Sequence, residues 1–461
     1  MPERTPVEMV EYLSGQLAAE HAEMRKLNRY YEGEQPLKYM APALQEEFGD
    51  RVTQLVINWP RMGVDAYENR LDVEGFRFPN QAKSDDRLWG IWQANDLDEV
   101  SQQAHLESLI LKRSYAIVGP NEDDPETPIV TVEHPLQVIT HHDPRTRKVT
   151  AGLKRWTDDE DNLWSTLYTP MVDRFYVYQG GKWSLEDETL HNRGFCSVVP
   201  LVNRPRMLKP RGTSELADVI PIADAANKMA TDMMISGEFH AMPRRAWFGM
   251  SEDDFIDENG NPIPVWDRVA GREWATERTK DEASVVQFPE ASLANFHETI
   301  KMLAQVASQM LALPPYYMQF AGSNPASADA IRSSEAQLVK RVERKQRILG
   351  GSWEQVMRIA CTMAKIESND ADLRRLETIW RDASTPTVAQ KADAAVKLYS
   401  QGISTLRQTR RDVGYTDTEI SLMEDEDAEA LERDPVAQIG RTLQVSAAQS
   451  VGLADDAPTV E

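Results

Sequence analysis

The spacing of apolar residues predicts several helices in the first part of the chain. Residues 5–8, TPVE, have the form of a capping box with proline at the first helical position, so a helix begins here. Its apolar face continues to about Gly33 through Leu13, Leu17, Met24, Leu27 and Tyr31. Residues 52–59, VTQLVINW, form either a strand or the lead-in to a second helix. Apolar positions over 85–112 predict two further helices with a break at 95–96.

Residues 115–202 show a different pattern, of short alternating or β-branched runs separated by Pro, Gly, Asn and Asp. Such runs predict an antiparallel β region, and the sequence Gln179-Gly180-Gly181 marks a hairpin within it. The later segment 376–384, LETIWRDAS, is a further strand that we expect to complete the same sheet. After Pro386 the pattern is helical again to about Glu426, and the last thirty-odd residues have no periodicity, so we expect them to be poorly ordered.

Between these parts, the pattern predicts two helices at 212–240 and 292–313, separated by an irregular acidic segment at 241–291. A Pro-rich loop, 314–328, then leads into a helix of nearly forty residues. Its apolar seam is formed by Leu338, Val342, Leu349, Trp353, Val356, Ala360, Met363 and Ile366. Because a glycine pair weakens a helix, Gly350-Gly351 predicts a kink near its middle.

Composition limits the class of protein. The 461 residues are enough for roughly three modules, and the net charge is −23, from 74 acidic and 51 basic residues. That charge disfavours a free nucleic-acid binder, since such proteins neutralise phosphates with Lys and Arg. Cys196 and Cys361 predict no disulfide framework. Because no secretory signal and no membrane-length apolar run is present, we expect a soluble intracellular protein without a membrane partner.

A catalytic interpretation depends on one histidine cluster. His134, His141, His142 and Asp143 are candidates for the metal site of a DNA-processing enzyme. The alternative is that they lie in a hairpin, because DPRTR is turn chemistry and neither HExxH nor a Cys/His metal spacing occurs. Gly180-Gly181-Lys182 has no following helix and is not a phosphate-binding loop. The sequence therefore predicts no catalytic residue, no metal ion and no cofactor.

The long helix carries the densest basic cluster, Lys340, Arg341, Arg344, Lys345 and Arg347. This cluster either contacts DNA phosphates or an acidic partner, or it is a solvated face paired with Glu335, Glu343 or a neighbouring subunit. No aromatic residues alternate with it as they do in a stacking platform. The preceding loop contains the apolar or aromatic residues Tyr316, Tyr317, Met318 and Phe320. They either turn inward to cap the core or project towards a substrate.

Eight segments, in their order along the chain, resemble the portal proteins, or head–tail connectors, of tailed double-stranded DNA bacteriophages of the long-tailed type. These segments are 30–37, 57–78, 88–119, 133–149, 198–206, 212–234, 323–346 and 386–420. Each is weakly specific alone, and their order is strongly specific. One departure is Lys112-Arg113-Ser114, which stands where a Gly-containing turn is expected before the strand at 115–118.

The resemblance implies a ring, normally of twelve copies, at one vertex of the capsid. Each copy is then an α+β portal-type subunit with a mixed α/β wing, a two-helix stem, a small clip insert, a long kinked helix and a helical crown. The implied boundaries are wing 1–211 (helices, then the antiparallel β region), stem helices 212–240 and 292–313, clip 241–291, tunnel loop 314–328, long wing helix and returning strand 329–385, crown 386–430 and tail 431–461.

The resemblance also implies a function and partners. The ring is the channel for double-stranded DNA entry during packaging and exit during ejection, without sequence-specific binding. It docks the large subunit of the terminase motor and then head-completion and tail adaptors, and it meets the major capsid protein and the scaffold. The implied location is the virion, after assembly in the host cytoplasm. The channel candidates are Lys301, Gln319, Phe320, Asn324 and Lys340, and the candidates for partner docking on the clip are Trp247, Trp266 and Trp274.

A channel that conducts DNA must not bind it tightly, so acidic groups facing the bore would keep the duplex centred. The candidates are Glu215, Asp218, Asp224, Asp232 and Glu298. Five stem methionines provide either adaptable packing or, as we expect, ordinary core: Met229, Met233, Met234, Met302 and Met310. The competing hypothesis is the metal-dependent DNA-processing enzyme. A scaffold-associated protein is disfavoured, because scaffolds are mostly elongated helix without a β-rich middle.

Overall fold

The chain forms two units in the computed structural model, Met1–Ala383 and Ser384–Glu461. The structure describes residues 4–36, 55–79, 81, 83–241, 245–249, 279, 284–287, 293–318, 328–366, 369–384, 388–415 and 417–433. The first unit contains helices and strands together, which confirms the α+β class.

The helices of the first unit are α1 (Pro6–Glu32), α2 (Trp59–Glu68), α3 (Asp86–Ala94), α4 (Leu97–Leu111), α5 (Ile220–Ala241), α6 (Ala294–Leu311), α7 (Ala328–Met363) and α8 (Asp370–Leu373). The strands are β1 (Val73–Arg77), β2 (Arg113–Gly119), β3 (Ile129–Glu133), β4 (Val138–His142), β5 (Val149–Thr157), β6 (Leu163–Tyr168), β7 (Val172–Gln179), β8 (Lys182–Leu190), β9 (Val198–Val202), β10 (Arg245–Phe248), β11 (Ser284–Gln287) and β12 (Glu377–Trp380). Short 3-10 turns at Glu215–Asp218 and Pro315–Tyr317 precede α5 and follow α6.

The helix boundaries follow the predicted local chemistry. At the start of α1, the Thr5 backbone N–H donates to the Glu8 carboxylate at 2.7 Å, and the Thr5 hydroxyl accepts from the Glu8 backbone. Gly33 ends this helix in the left-handed conformation, with φ of 79°. The segment before α2 is a lead-in rather than a strand over its described part, 55–58. Lys112 has φ of 77°, so the turn for which a glycine was expected is present with lysine in it.

The core of the first unit forms around α7, whose seam residues Leu338 to Ala360 are buried as the spacing predicted. Trp353 lies at its centre, with its ring 5.0 Å from that of Trp92. The Trp353 indole N–H donates to His105 Nε2 at 2.8 Å. Complete burial lowers the pKa of His105 to about 3, so the imidazole is neutral and accepts this bond. Met363 and Ile366, at the end of the seam, are only partly buried.

The β region consists of two antiparallel sheets, ordered β3-β2-β9 and β4-β5-β6-β7-β8. The hairpin predicted at 179–181 joins β7 to β8, and both Gly180 and Gly181 have positive φ, as a tight two-residue hairpin turn requires. The strand predicted at 376–384 is present as β12, but the expectation that it completes this region is wrong. It pairs with β1 instead. The strands β1 and β12 form a separate two-stranded antiparallel sheet.

Gly350 allows β12 to approach α7 closely. A Cβ atom at this position would lie 2.9 Å from the Trp380 indole nitrogen, and the Thr378 hydroxyl donates to the Gly350 carbonyl at 3.1 Å. The helix continues without interruption through both glycines. Close packing of β12 therefore explains Gly350, and the predicted kink is not needed to account for it.

The second unit is helical over its described residues, in three helices: α9 (Val388–Ser400), α10 (Leu406–Val413) and α11 (Asp417–Arg433). Ion pairs join α10 to α11, between Arg410 and Asp427 at 2.5 Å and between Arg407 and Glu424 at 3.5 Å. The helical pattern extends past Glu426 to Arg433. The poorly ordered tail was predicted over 431–461, but residues 431–433 belong to α11, and the rest of this segment lies outside the described residues.

Glu20 on α1 provides a test of how the first unit is held together. Its carboxylate pairs with Arg113 of β2 and with Arg211, at 2.7 Å for the latter. Burial raises the pKa of Glu20, but the two guanidinium groups outweigh burial and hold this pKa below its usual value of 4.5. A lowered folded-state pKa gives stability that is present above about pH 4.5 and lost as the pH falls through the folded-state value.

We therefore expect Glu20→Gln to lower the free energy of unfolding by about 1–3 kcal/mol at neutral pH, with a much smaller difference from the parent in acid. Urea unfolding of both proteins across the acid range measures this. Glu23→Gln is the matched control on the same helix, because Glu23 is 58% exposed and its ion pair with Lys112 lies at the surface, where such pairs contribute little. Parallel pH profiles for parent and Glu20→Gln would contradict the prediction.

Candidate functional site

The described start of the predicted tunnel loop packs onto the core. Residues 315–317 form a 3-10 turn, Tyr316 and Tyr317 are half-buried, and Met318 is 4% exposed. These three side chains therefore turn inward to cap the core rather than projecting towards a substrate. The remaining loop candidates Gln319, Phe320 and Asn324 lie outside the described residues.

An ion pair between Arg70, which follows α2, and Glu335 on α7 stabilises this turn. Arg70 Nη2 lies 3.3 Å from Glu335 Oε1, and both side chains are about one-tenth exposed. The Tyr316 hydroxyl donates to the same oxygen at 2.8 Å. Burial, and then the charge of Glu335, raise the pKa of Tyr316, so its hydroxyl stays protonated and available as a donor. The first residues of the loop are thereby fixed to α7.

The end of α6 is fixed by side chains from α2 and α7. The Tyr67 hydroxyl donates to the Leu311 carbonyl, and Arg341 donates to the Met310 carbonyl at 2.8 Å. Arg341 also donates to the Tyr67 hydroxyl at 3.2 Å. These donors satisfy two of the carbonyls that a helix end leaves unpaired, and a cation at this end is favoured by the helix dipole. Burial, followed by the charge of Glu215, raises the pKa of Tyr67 to about 12.

A buried ion pair connects α7 to the turn that precedes α5. Lys345 pairs with Glu215, and the Lys345 ammonium also donates to the Asn203 side chain at 3.0 Å. The two charged side chains are 6% and 2% exposed. Burial lowers the pKa of Lys345, and the carboxylate of Glu215 opposes that effect. The adjacent carboxylate favours the charged form of this ammonium.

The basic cluster on α7 therefore divides into members with different environments. Lys340 and Arg347 are exposed and pair with Glu343 at 3.1 and 3.8 Å, as the solvated-face alternative expects. Lys345 is buried, and Glu335 pairs with Arg70 rather than with this cluster. The other described channel candidate, Lys301, is exposed on α6. Within the described part of the chain, no common hydrogen-bond or ion-pair partner connects Lys301 with Lys340.

Burial excludes two of the five acidic residues that were candidates for lining the bore. Glu215 is buried against Lys345, and Asp224 is 6% exposed and accepts a hydrogen bond from the Tyr30 hydroxyl at 2.8 Å. Neither carboxylate is available to face solvent. Asp218 and Asp232 are more exposed but pair with Arg204 and Lys228. Glu298 is exposed on α6.

The expectation of ordinary core methionines is also wrong for three of the five. Met234, Met302 and Met310 are 46%, 54% and 45% exposed, whereas Met229 and Met233 are intermediate. The sequence spacing predicted that these methionines lie on helices, but it did not show which face of each helix packs against the core. The buried positions of α6 are the small residues Ala304, Ala307 and Ser308 together with Leu311.

The clip candidates are only partly described. Trp247 lies in β10, which pairs with β11 in an antiparallel hairpin-like ribbon, with Trp247 opposite Val285. Trp266 and Trp274 lie outside the described residues.

The histidine cluster has the geometry of a turn. His141 Nδ1 lies 2.8 Å from the Thr150 hydroxyl, and Asp143 accepts from the Arg145 backbone and the Thr146 hydroxyl at 2.8 Å each. Within the described residues, no group of three His, Cys, Asp or Glu side chains is placed to hold a metal ion. Burial raises the pKa of the Cys196 thiol to about 12, so the thiol is not an activated nucleophile.

Sequence reasoning missed Arg70, Tyr67 and Asn203, which hold the helix ends and the buried lysine. Their contacts with α6 and α7 span more than a hundred residues of sequence. Such pairings leave no local periodicity, so no short-range signal identified these residues.

Comparisons with known proteins identify the family. A family model described as "Phage portal protein, SPP1 Gp6-like" matches residues 11–433. The portal protein of Mycobacterium phage L5 is 35% identical over 398 residues, covering 84% of this chain and 81% of the relative. The portal protein of Mycobacterium phage D29 is 34% identical over 404 residues, covering 85% and 82%. A chain from the virion of a native gene transfer agent particle aligns with a TM-score of 0.44 and 11% identity, covering 83% of this chain and 95% of that one.

The family model and the two phage relatives define a class of structural proteins of phage particles. The chain belongs to the family of phage portal proteins of the SPP1 Gp6-like type. Its role is that of a portal, the channel through which the phage packages its DNA, and the DNA-processing alternative is not supported. None of the described helices combines the length and the apolarity that crossing a membrane requires.

The buried pair of Lys345 and Glu215 gives a direct test of the site. Lys345→Ala leaves a carboxylate buried without its cation, so we expect the free energy of unfolding to fall by about 3–5 kcal/mol. The double variant Lys345→Met, Glu215→Leu removes both charges and should lose less than this single variant. Lys340→Ala, at an exposed position on the same helix, is the control and should change stability by less than about 0.5 kcal/mol. Equal losses for Lys345→Ala and Lys340→Ala in chemical unfolding would contradict the account.

Proposed function

We propose that this chain assembles as a ring of twelve copies at one vertex of the capsid. Double-stranded DNA passes through the ring during packaging and leaves by the same route during ejection. The observation that carries this proposal is the match to the portal family over residues 11–433, nearly the whole chain. The chain performs no catalysis, and the packaging work is done by a separate motor.

The two faces of α6 support assembly with a neighbour. One face packs on the core through Ala304, Ala307 and Leu311, while Met302, Val306 and Met310 on the other are 54%, 36% and 45% exposed. Their spacing of four residues makes a continuous apolar stripe along the helix. Such a stripe on a soluble subunit marks a contact surface, and a ring supplies a neighbour at every copy.

The division into functional regions follows the same proposal. Helices α5 and α6 form the stem, residues 241–291 the clip and residues 314–328 the tunnel loop. The wing takes 1–211 and 329–385, and the crown takes 386–430. The fixed end of α6 and the anchored turn at 315–318 give the loop a rigid base, which suits a segment that meets moving DNA. Within the channel, weak contacts are made by Lys301, Gln319, Phe320, Asn324 and Lys340.

The net charge supports a conduit rather than a binding protein. Each copy has a charge of −23, so a ring repels phosphates overall and does not retain the duplex. The terminase large subunit docks on the clip, for which Trp247, Trp266 and Trp274 are the candidates, and head–tail adaptors replace it after packaging. The scaffold and the major capsid protein meet the outer part of the ring. The protein is assembled in the host cytoplasm and becomes part of the virion.

Native mass measurement with negative-stain electron microscopy tests this proposal, on protein expressed with the scaffold and capsid proteins of its phage. We expect rings with a central hole and a mass close to that of twelve subunits. The enzyme control is DNA incubated with divalent metal ions and either the parent or His141→Ala, and neither should cleave it. A compact dimer, or cleavage that His141→Ala abolishes, would contradict the portal function.

A further inference from the structure

A cationic cavity lies between the turn that follows β9 and one face of α7. It has a volume of about 370 Å³, and its charged lining is Arg204, Arg206, Arg341, Arg344, Lys345 and Glu215. Five cations thus surround a single carboxylate in a chain whose net charge is −23. The cavity is therefore positively charged, whereas the chain as a whole is negatively charged.

Internal pairs satisfy only part of this positive charge. Glu215 pairs with Lys345 at the buried floor, and Arg204 pairs with Asp218 at 2.8 Å. Arg341 donates to two uncharged groups, the Met310 carbonyl and the Tyr67 hydroxyl. Arg206 and Arg344 are exposed, and neither has a hydrogen bond or ion pair from its side chain within the described part of the chain. Two guanidinium groups at the mouth of the cavity are therefore available to bind a ligand. Their planar arrangement of N–H donors matches a carboxylate or a phosphate.

An apolar turn stands beside this mouth. The Arg206 N–H donates to the Lys209 carbonyl at 3.1 Å, and the Lys209 N–H donates back at 2.9 Å. These two bonds close a tight turn whose tip is Met207 and Leu208, 89% and 93% exposed. Arg204, just before the turn, adopts φ of 46°, which is uncommon for a residue with a side chain. A constrained turn that exposes two large apolar side chains is typical of a surface that another protein covers.

We propose that the cavity binds an acidic side chain of the adjacent copy of this chain, and that the same contact covers Met207 and Leu208. This inference rests on the proposed ring. In a head-to-tail ring a patch meets a different patch of the next copy, so a basic cavity can be matched by an acidic side chain. The ring also holds that side chain at a high effective concentration.

The observations favour this occupant over a phosphate. With 74 acidic residues, the neighbouring copy presents carboxylates as its commonest charged groups. A cavity of about 370 Å³ admits a side chain but not a duplex. A free oxyanion would pair with the cations yet leave the apolar tip uncovered. Only a protein segment satisfies both the cations and the tip.

Zero-length crosslinking of assembled rings tests the contact in the unmodified protein. Rings are assembled from equal amounts of ¹⁴N- and ¹⁵N-labelled chains and treated with a reagent that couples lysine amines to carboxylates. Lys209, which is exposed beside the cavity, should be joined to an Asp or Glu of the other isotope. Rings in which Lys209 is joined only to its own copy, or to no carboxylate, would overturn the proposal. Failure of the parent to form rings at all would instead contradict the proposed function.

Charge reversal at the mouth is the second test. The double variant Arg206→Glu, Arg344→Glu should raise the concentration at which half the chains are assembled by at least roughly tenfold in sedimentation experiments. Arg347→Glu, which reverses an α7 arginine outside the cavity, is the matched control and should change it by less than roughly twofold. Unchanged circular dichroism would show that the double variant is folded. Assembly equal to that of the control would overturn the proposal.

Titration with inorganic phosphate tests whether a free oxyanion, rather than an acidic side chain, occupies the cavity. Titration of the unassembled parent with phosphate in a calorimeter should show no saturable binding that the double variant lacks. Saturable binding that Arg206→Glu, Arg344→Glu abolishes would assign the cavity to a free oxyanion and overturn the proposal.

Discussion

The buried pair of Lys345 and Glu215 is the constraint on which the central part of the molecule depends. Removing two charges from water costs several kcal/mol for each, and their attraction offsets this only when the geometry is correct. Asn203 supplies a further hydrogen bond to the ammonium, so the arrangement is satisfied in one register of α7. The pair thus sets the position of the long helix relative to β9 and to the turn that leads into α5.

Other contacts extend this arrangement towards the loop between α6 and α7. Arg341, one turn before Lys345 on α7, holds the last carbonyls of α6 together with Tyr67. Six residues before Arg341, Glu335 pairs with Arg70 and accepts a hydrogen bond from the Tyr316 hydroxyl. One helix therefore fixes the entry to α5, the end of α6 and the start of the loop.

The sequence predicts features that depend on neighbouring residues. The capping box at Thr5, the hairpin at Gly180 and the seam of α7 are all confirmed, because each follows from spacing within a few residues. The pairing of β12 with β1 was not predictable, since it depends on which strand edges other elements leave free. The burial of Glu215 and Asp224 was missed for a related reason: their partners are 130 and 194 residues away. The exposed methionines of α6 were missed because its buried face is formed mainly by small residues, with Leu311 as its one large side chain.

The central claim is that DNA passes through a channel to which the loop after α6 contributes. Photocrosslinking in particles arrested during packaging tests it directly, with a benzophenone amino acid in place of Phe320. Leu190, 69% exposed at the end of β8, is the control position. The account predicts that packaged DNA becomes attached at position 320 and not at position 190. Attachment at 190, or at neither position in filled particles, would contradict it.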